Sequence, residues 1–571
     1  MPLSLSGGQV NSWSINKIVV IGPGIVGVPM AALLAHRRIR QDSPEPARVV
    51  VVQRRSQSSG WKVAAINAGR SPIGGVEPAL DNIIADAVAA GTLSATHDYA
   101  AARDADVILV CVQTDRDGFA PAYGPLFEAL TALAEALQQK PEGHVPLVIF
   151  ESTLAPTSMT TVVRDHFARY GLVEGRDLLL GNSPNRVMPG RLLERVATSD
   201  KLVAGLQPAT PDLIARLYAH IVTEGELHRT NSLTAEVVKT LENAYRDVRI
   251  AYASEVVRHC DACDVDYYQL RDQVNARLAQ SDEASGDPNI VPSGGLLVPT
   301  VGVGGHCLPK DGILLWWRAL ETGSLYSGRS LILDARRIND ESPGETLRLL
   351  EHNHGPVTGR SVTLLGAAYR FNSEDTRNSP TLVLARALEQ RGARVTIHDP
   401  YVKPDDQNLK SMALAERFTN DLPEAVADAE LIVFCTAHRD YFELTPILSQ
   451  AARLSGVVDA CNLLPRPEDR PPVPYSGIGR GRRAPSPLLT EAVLAGFRAV
   501  ERGVANELEL LIRFLNRSYA ATPFEQVRFD EVQRLAATCG TGCRIVDPGP
   551  VEAVPQVEGF ASTLVSRAMN D

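Results

Sequence analysis

Ile15-Asn16-Lys17-Ile18-Val19-Val20-Ile21-Gly22-Pro23-Gly24-Ile25-Val26-Gly27 is the stretch whose reading decides the fold. Its first half alternates and then runs apolar, as a buried strand does. A helical pattern follows from Val28 to about His36. Gly22, Gly24 and Gly27 therefore form G-x-G-x-x-G between a strand and a helix, the setting in which that spacing has a meaning. Gly22 makes the tight turn, Gly24 lets a pyrophosphate reach the backbone, and Gly27 lets the helix pack on the strand. Ile25 and Val26 fill the turn, and the helix N-terminus faces the phosphates with free amides and the positive end of its dipole. A dinucleotide site is the expectation.

The next apolar strand, Arg48 to Val52, ends in Gln53-Arg54-Arg55-Ser56, where the fingerprint calls for an acidic residue on the ribose. Glutamine can still bond a ribose hydroxyl. Without the carboxylate a 2′-phosphate is no longer repelled, so NAD is expected and NADP is admitted through Arg54 and Arg55. Further strands are read at Val107 to Val112 and Leu147 to Phe150. Their loops, Gln113-Thr114-Asp115 and Glu151-Ser152-Thr153, should border the cofactor, since α/β sheets bind at strand C-terminal ends. Leu178 to Gly181 leads into a polar loop, Asn182 to Gly190, that reads as a substrate rim.

From Thr234 a helical pattern runs to about Gln280, with Lys239 and Asn243 four apart and so on one face. Val301-Gly302-Val303-Gly304-Gly305-His306-Cys307-Leu308-Pro309-Lys310-Asp311 then sets a thiol at the end of a glycine loop able to wrap a ligand, with Lys310 near enough to favour the thiolate. A second α/β unit opens at Ser361 to Gly366 and continues through Val395 to Pro400, Leu431 to Cys435 and Gly456 to Asp459. Two such domains flanking a helical middle would leave a cleft. Gly477 to Arg483 reads as a basic linker, and Ser486-Pro487 as an N-cap and first helical residue. Val493, Phe497, Val500, Val504, Leu508, Leu511 and Leu515 form one apolar stripe. The part from Asp547 is proline-rich and expected to be loose.

At 571 residues the chain exceeds one core. A formal charge of -10 argues against nucleic acid, and no apolar run approaches the ~20 residues of a membrane helix. Met1 to Ser14 carries no signal-peptide pattern, and the eight cysteines are scattered as in a reducing compartment. Cytoplasmic location is expected. Cys260 and Cys263 read as helix thiols rather than metal ligands, while Cys539 and Cys543 leave a clip in the tail open.

Together with Asn67 to Pro72, Ala335 to Asp340 and Asp375-Thr376-Arg377-Asn378-Ser379-Pro380, these motifs make the chain resemble the UDP-glucose/GDP-mannose dehydrogenase family over roughly Ile15 to Gly479. Gly305-His306-Cys307 looks more like its UDP-N-acetylhexosamine branch. The resemblance implies two Rossmann-like, doubly wound parallel-sheet domains joined by a central helical domain with a long connecting helix. It divides the chain into an NAD-binding domain (1–210), a central dimerisation domain with the cysteine loop (211–345), a UDP-sugar-binding domain (346–480) and an extra helical tail (481–571).

The activity implied is a two-step NAD-dependent oxidation of a sugar C6 alcohol to the acid, by a homodimer or higher homo-oligomer. Cys307 would form a thiohemiacetal and then a thioester. Lys239 and Asn243 would stabilise the oxyanion, Asp311 would help activate water, and Thr153 would hold it. Gly22, Gly24, Ile25, Val26, Gly27, Gln53, Arg54, Thr114, Thr153 and Arg377 would serve the cofactor. Asn185, Lys239, Asn243, Gly304, Gly305 and Arg370 would serve the sugar nucleotide.

Four positions depart from the family pattern. Asn185 stands where a glutamate associated with thioester hydrolysis is usual, and asparagine orients water without taking its proton. Cys461 replaces an arginine, Gln53 an aspartate, and the loop before Cys307 lacks its usual arginine. Glu151 or Asp311 is the available substitute base. UDP-glucose oxidation and a sugar-nucleotide-binding protein with impaired turnover are the alternative readings.

Overall fold

The computed structural model describes residues 4–6, 9–12, 14–37, 39, 45–57, 59–74, 77–186, 190–285, 292–323, 330–443, 448–449, 451–540 and 542–570. Residues 187–189 of the expected substrate rim and 286–291 of the loop before the cysteine stretch lie outside them. The chain divides into two compact units. The first comprises Met1–Glu242, Leu314–Leu325 and Leu510–Cys543. The second comprises Asn243–Ile313, Tyr326–Glu509 and Arg544–Asp571.

The first unit is built on an eight-stranded sheet. In spatial order its strands are Leu227–Asn231, Lys201–Gly205, Leu179–Asn182, Leu147–Phe150, Val107–Val110, Lys17–Ile21, Arg48–Val52 and Leu93–Thr96. All neighbours run parallel except Leu179–Asn182 with Lys201–Gly205. Strand side chains alternate between faces. Ile18 and Val20 join one apolar core and Val19 and Ile21 the other, which is why these strands read as unbroken apolar runs. Three strands of this sheet escaped the sequence reading: Leu93–Thr96, Lys201–Gly205 and Leu227–Asn231. Leu93–Thr96 and Leu227–Asn231 are edge strands of mixed polarity, and Lys201–Gly205 opens on a lysine.

The second unit holds an all-parallel sheet in the order Phe418–Thr419, Arg394–His398, Ser361–Leu365, Leu431–Phe434, Gly456–Asp459 and Tyr475–Gly477. The expected single helix from Thr234 to about Gln280 is instead two helices, Ser232–Ala262 and Tyr267–Ala284. Asp264 takes a left-handed φ of 55°, and the Asp266 carboxylate accepts the amides of Tyr268 and Gln269 as the second helix begins. The break is thus an N-cap that periodicity alone overlooks.

The C-terminal extension corrects two further expectations. Ser486 does cap the helix Pro487–Tyr519, its hydroxyl accepting from the Leu489 amide. The stretch before it is ordered rather than a linker. Gly479 has φ +74° and leaves no room for a side chain against Tyr267, while the Arg480 guanidinium lies 3.9 Å over the Tyr268 ring. The part from Asp547 is likewise held. The Asn506 side chain pairs with both the amide and the carbonyl of Gly549. Glu255 accepts from the Ser562 hydroxyl at 2.6 Å and the Thr563 amide at 2.7 Å, capping the last helix, Thr563–Asn570.

The stripe from Val493 to Leu515 is buried within this one chain, with Leu508 only 1% exposed. Leu508→Ala should therefore cost about 2–5 kcal/mol in denaturant unfolding. A loss below about 0.5 kcal/mol, as at a surface site, would show that the stripe is not core.

On the long helix, Glu236 is buried and accepts the amides of Thr157 and Met159, each at 2.8 Å. Burial outweighs those bonds and pushes its carboxyl up to about 8. Since the folded value lies above the unfolded one, the folded state holds this proton more tightly. The contribution is present in full below about pH 4.5 and is lost as pH rises through about 8. Glu236→Gln should flatten the fall in stability over that window, read from thermal melts at stepped pH. An unchanged slope would exclude Glu236 as its source.

Candidate functional site

In the first unit the glycine turn has the shape of a phosphate cradle. Gly22 has φ +95°, and a Cβ there would lie 2.7 Å from the Cys111 carbonyl oxygen. A Cβ at Gly27 would lie 2.1 Å from the Gly22 carbonyl oxygen, so both positions exclude side chains. Gly24 instead borders open space, with nothing within 4 Å of where a Cβ would stand. The helix Gly27–His36 starts without a side-chain cap. The Val28 and Met30 amides already meet the Gly24 and Val26 carbonyls, and Pro29 carries no amide. It is therefore the turn ahead of them, Ile25 to Gly27, whose amides suit an anion. These residues fit a dinucleotide pyrophosphate.

The Gln53 amide donates to the Ser59 hydroxyl at 2.8 Å, and exposed Arg54 pairs with Glu128. One of the two arginines that could have met a 2′-phosphate is thereby engaged. Lys62, which the sequence reading missed, donates to the Pro23 carbonyl at 3.1 Å, and burial lowers its pKa. Only its place as the second residue of the helix Trp61–Asn67 could have pointed to it.

The strand-end loops are tied together. The Thr114 hydroxyl donates to the Thr153 carbonyl at 2.6 Å, and that of Ser152 to the Val112 carbonyl at 2.5 Å. Glu151 is 2% exposed and lies between Lys201, at 2.7 Å, and the Tyr218 hydroxyl, which donates to its other oxygen. Burial and the Glu151 charge push the Tyr218 phenol and the nearby Cys111 thiol far up, keeping both protonated. Asn185 donates its side-chain amide to Glu151 at 3.4 Å. Glu151 is thus committed to Lys201 and Tyr218 rather than open as a spare base. The lysine heading the apolar run Lys201–Gly205 was the signal for this pair.

Lys239 is 7% exposed, and its charge bears on Glu242, which pairs with Arg186 at 2.5 Å. Burial nevertheless raises the Glu242 carboxyl.

In the second unit Cys307 is exposed and precedes the helix Leu308–Thr322, its carbonyl accepting the amides of Lys310 and Asp311. Lys310 is paired with its neighbouring carboxylate. Its ammonium is buried and lies 2.6 Å from an Asp311 oxygen, and the other Asp311 oxygen accepts from Asn243 at 2.6 Å. Asp311 has no exposed surface, so it anchors its neighbours rather than meeting water directly.

The loop glycines also make room for a neighbouring side chain. Cβ atoms at Gly304 and Gly305 would stand 2.4 Å and 2.8 Å from Tyr369, and the Gly305 amide donates to the Arg377 carbonyl at 2.8 Å. They dock the loop on the second sheet domain, where Asn378 donates to the Gly305 carbonyl. The Arg377 guanidinium pairs with Asp375, Arg370 lies over Phe371, and Cys461 sits beside Asp459. Sequence reasoning also missed Asp399, whose buried carboxylate accepts the amides of Ala367 and Ala368 at the mouth of this sheet.

Among the described residues no helix is long and apolar enough to cross a membrane. Residues 16–222 match the NAD binding domain of the UDP-glucose/GDP-mannose dehydrogenase family, 233–341 its central domain and 363–466 its UDP binding domain. The UDP-N-acetyl-D-mannosamine dehydrogenase of Pyrococcus horikoshii is 29% identical over 472 residues, 81% of this chain and 99% of that one. An NDP-N-acetyl-D-galactosaminuronic acid dehydrogenase of Ralstonia nicotianae is 28% identical over 437 residues, 75% of this chain and 92% of its own. The crystal structure of the Methanosarcina mazei Go1 protein of that same name superposes with a TM-score of 0.66 at 31% identity, over 82% of this chain and 96% of that one. With all three family domains present in order around a glycine-loop cysteine, the chain belongs to the UDP-glucose/GDP-mannose dehydrogenase family of NAD-dependent nucleotide-sugar dehydrogenases.

Proposed function

We propose that the protein oxidises the C6 alcohol of a UDP-N-acetylhexosamine to the carboxylate in two successive steps, as a cytosolic homodimer or higher homo-oligomer, with a thioester on Cys307 between them. The observation that carries this reading is the exposed Cys307 sulfur at the start of a helix whose first turn is fixed through Asp311 to Asn243. The resemblance to dehydrogenases acting on N-acetylhexosamine nucleotides supports the choice of sugar. NAD, cradled at Gly22, Gly24 and Gly27, supplies the hydride acceptor for both oxidations.

The chain's own residues do the rest. The Cys307 thiolate adds to the C6 aldehyde, and the new oxyanion takes up a proton to give the thiohemiacetal. Loss of a hydride and that proton leaves the thioester. Water then adds to the thioester carbon, the thiolate departs, and the acid is released. Lys239 and Asn243 donate to the oxyanion of each tetrahedral state, where fixed donors act most strongly. Thr153 and Asn185 hold the water, and Arg370 serves the nucleotide half of the substrate.

The hydrolytic water lacks a committed base. Asn185 cannot take its proton, Glu151 is held by Lys201 and Tyr218, and Asp311 is held by Lys310 and Asn243. Thioester hydrolysis is therefore the slow step of this reading. Rapid mixing with NAD+ and the preferred UDP-sugar should give a burst of about two reduced cofactors per active site before a slower steady rate. Asn185→Glu should shrink the burst and raise the steady rate, whereas a linear trace from wild type would refute slow hydrolysis. Cys307→Ser should form no acid, and acid at the wild-type rate would exclude the thioester. The substitutions at Asn185 and Cys461 favour a second reading, a sugar-nucleotide-binding protein without turnover. A panel of UDP-sugars decides between them: binding without reduced cofactor for any sugar selects the second.

A further inference from the structure

The matched family domains end at residue 466, and the extension beyond them sends one segment into the first unit. That segment follows the opening turns of the long helix. Asn231, whose side chain caps that helix at the Thr234 amide, donates to the Gln526 carbonyl at 3.0 Å. Thr230 donates to Glu531 at 2.7 Å. Farther along, Arg186 gives one guanidinium nitrogen to the Thr538 hydroxyl at 2.8 Å and the other to the Leu535 carbonyl at 3.2 Å and to Glu242. The Thr538 hydroxyl in turn donates to the Leu535 carbonyl at 2.7 Å, which aims its lone pair at Arg186. Cys539 hydrogen-bonds to Glu242.

The Arg186 and Glu242 side chains are 6% and 2% exposed. Breaking such a buried pair is costly, so its geometry is imposed on both neighbouring stretches of chain. Arg186 directly follows Asn185, and Glu242 lies one helical turn beyond Lys239.

From this we infer that residues 526–539 of the extension are a positioning brace. Thr538 and the Leu535 carbonyl fix Arg186, and Arg186 fixes the Asn185 loop against the helix that carries Lys239. The inference rests on the function proposed above, in which Asn185 orients the hydrolytic water. Thr538 touches neither sugar nor cofactor in this account. It acts through Arg186, and its loss moves the water-holding amide rather than the binding of either substrate.

Thr538→Val keeps the side chain's shape and removes the acceptor, and Thr538→Ser restores it. Two measurements on the full-length protein test the brace. Amide hydrogen exchange in peptides covering 180–186 should speed up several-fold in Thr538→Val and return to normal in Thr538→Ser, with the strands of the second unit unchanged in both. The steady-state kcat should fall about tenfold in the valine variant, with KM for NAD and for the UDP-sugar within about twofold and recovery in the serine variant. Unaltered exchange at 180–186, or an unaltered kcat, overturns the brace. So does a parallel rise in exchange across the whole chain, which would mark Thr538 as a general stability residue. If wild type turns over no UDP-sugar, it is the proposed function that fails, and hydrogen exchange alone then decides whether the brace exists.

Discussion

Asp311 is a carboxylate with no exposed surface, and the chemistry of the second unit depends on how its charge is met. A buried carboxylate survives as an anion only when paired and hydrogen-bonded. Lys310 supplies the counter-charge and Asn243 the second bond, each at 2.6 Å. Removing one partner from such a pair costs about 3–5 kcal/mol. Lys310 therefore cannot swing to the Cys307 sulfur without stranding its neighbour. The sulfur instead has the Arg377 guanidinium within electrostatic range and the positive end of the helix Leu308–Thr322, whose first turn Asp311 itself anchors. The acid that the resemblance casts as a water activator is better placed as the fixed point that holds thiol helix and Asn243 in one geometry.

The same logic runs through the first unit. Glu151 lies beside Asn185, yet Lys201 and Tyr218 already take its oxygens. A glutamate at 185 would set a second carboxylate within hydrogen-bonding range of the first, and like charges that close do not both ionise readily. Asparagine at this position is therefore compatible with its surroundings as well as a departure from the family pattern. It removes a base from the site and a repulsion from the sheet mouth together.

Much of the fold was legible because buried parallel strands announce themselves. Ile18 to Ile21, Val107 to Val110, Leu147 to Phe150 and Leu431 to Phe434 are apolar on both faces, and their shortness and β-branched or aromatic content separate them from buried helix segments. Edge strands such as Leu227–Asn231 carry no such signal, since one side of them meets polar surroundings. Of the site, the glycine turn was readable because steric exclusion at Gly22 and Gly27 leaves only one residue type possible. The pairing of Lys310 with Asp311, and of Glu151 with Lys201, was not. Sequence shows that a charge is present, but which charge faces it is settled by contacts between distant segments. Gly304 and Gly305 show a further ambiguity: room for a ligand and room for Tyr369 demand the same residue.

The extension is where pattern left the most open. An amphipathic helix of the length of Pro487–Tyr519 is equally suited to a second copy of the chain or to its own core. The polar groups decide between them. Tyr245 and Tyr252 stand two turns apart on the long helix, are 2% and 1% exposed, and donate their hydroxyls to Glu501 and to the Val493 carbonyl. Glu507 accepts from the Ser330 hydroxyl and the Leu331 amide where the helix Leu331–His354 begins. Each of these groups would be buried and unpaired if the extension only rested against an apolar face. An appended helix can be added to a finished domain by covering a greasy patch. One that satisfies the hydroxyls of the central helix and caps its neighbour is part of how that domain folds.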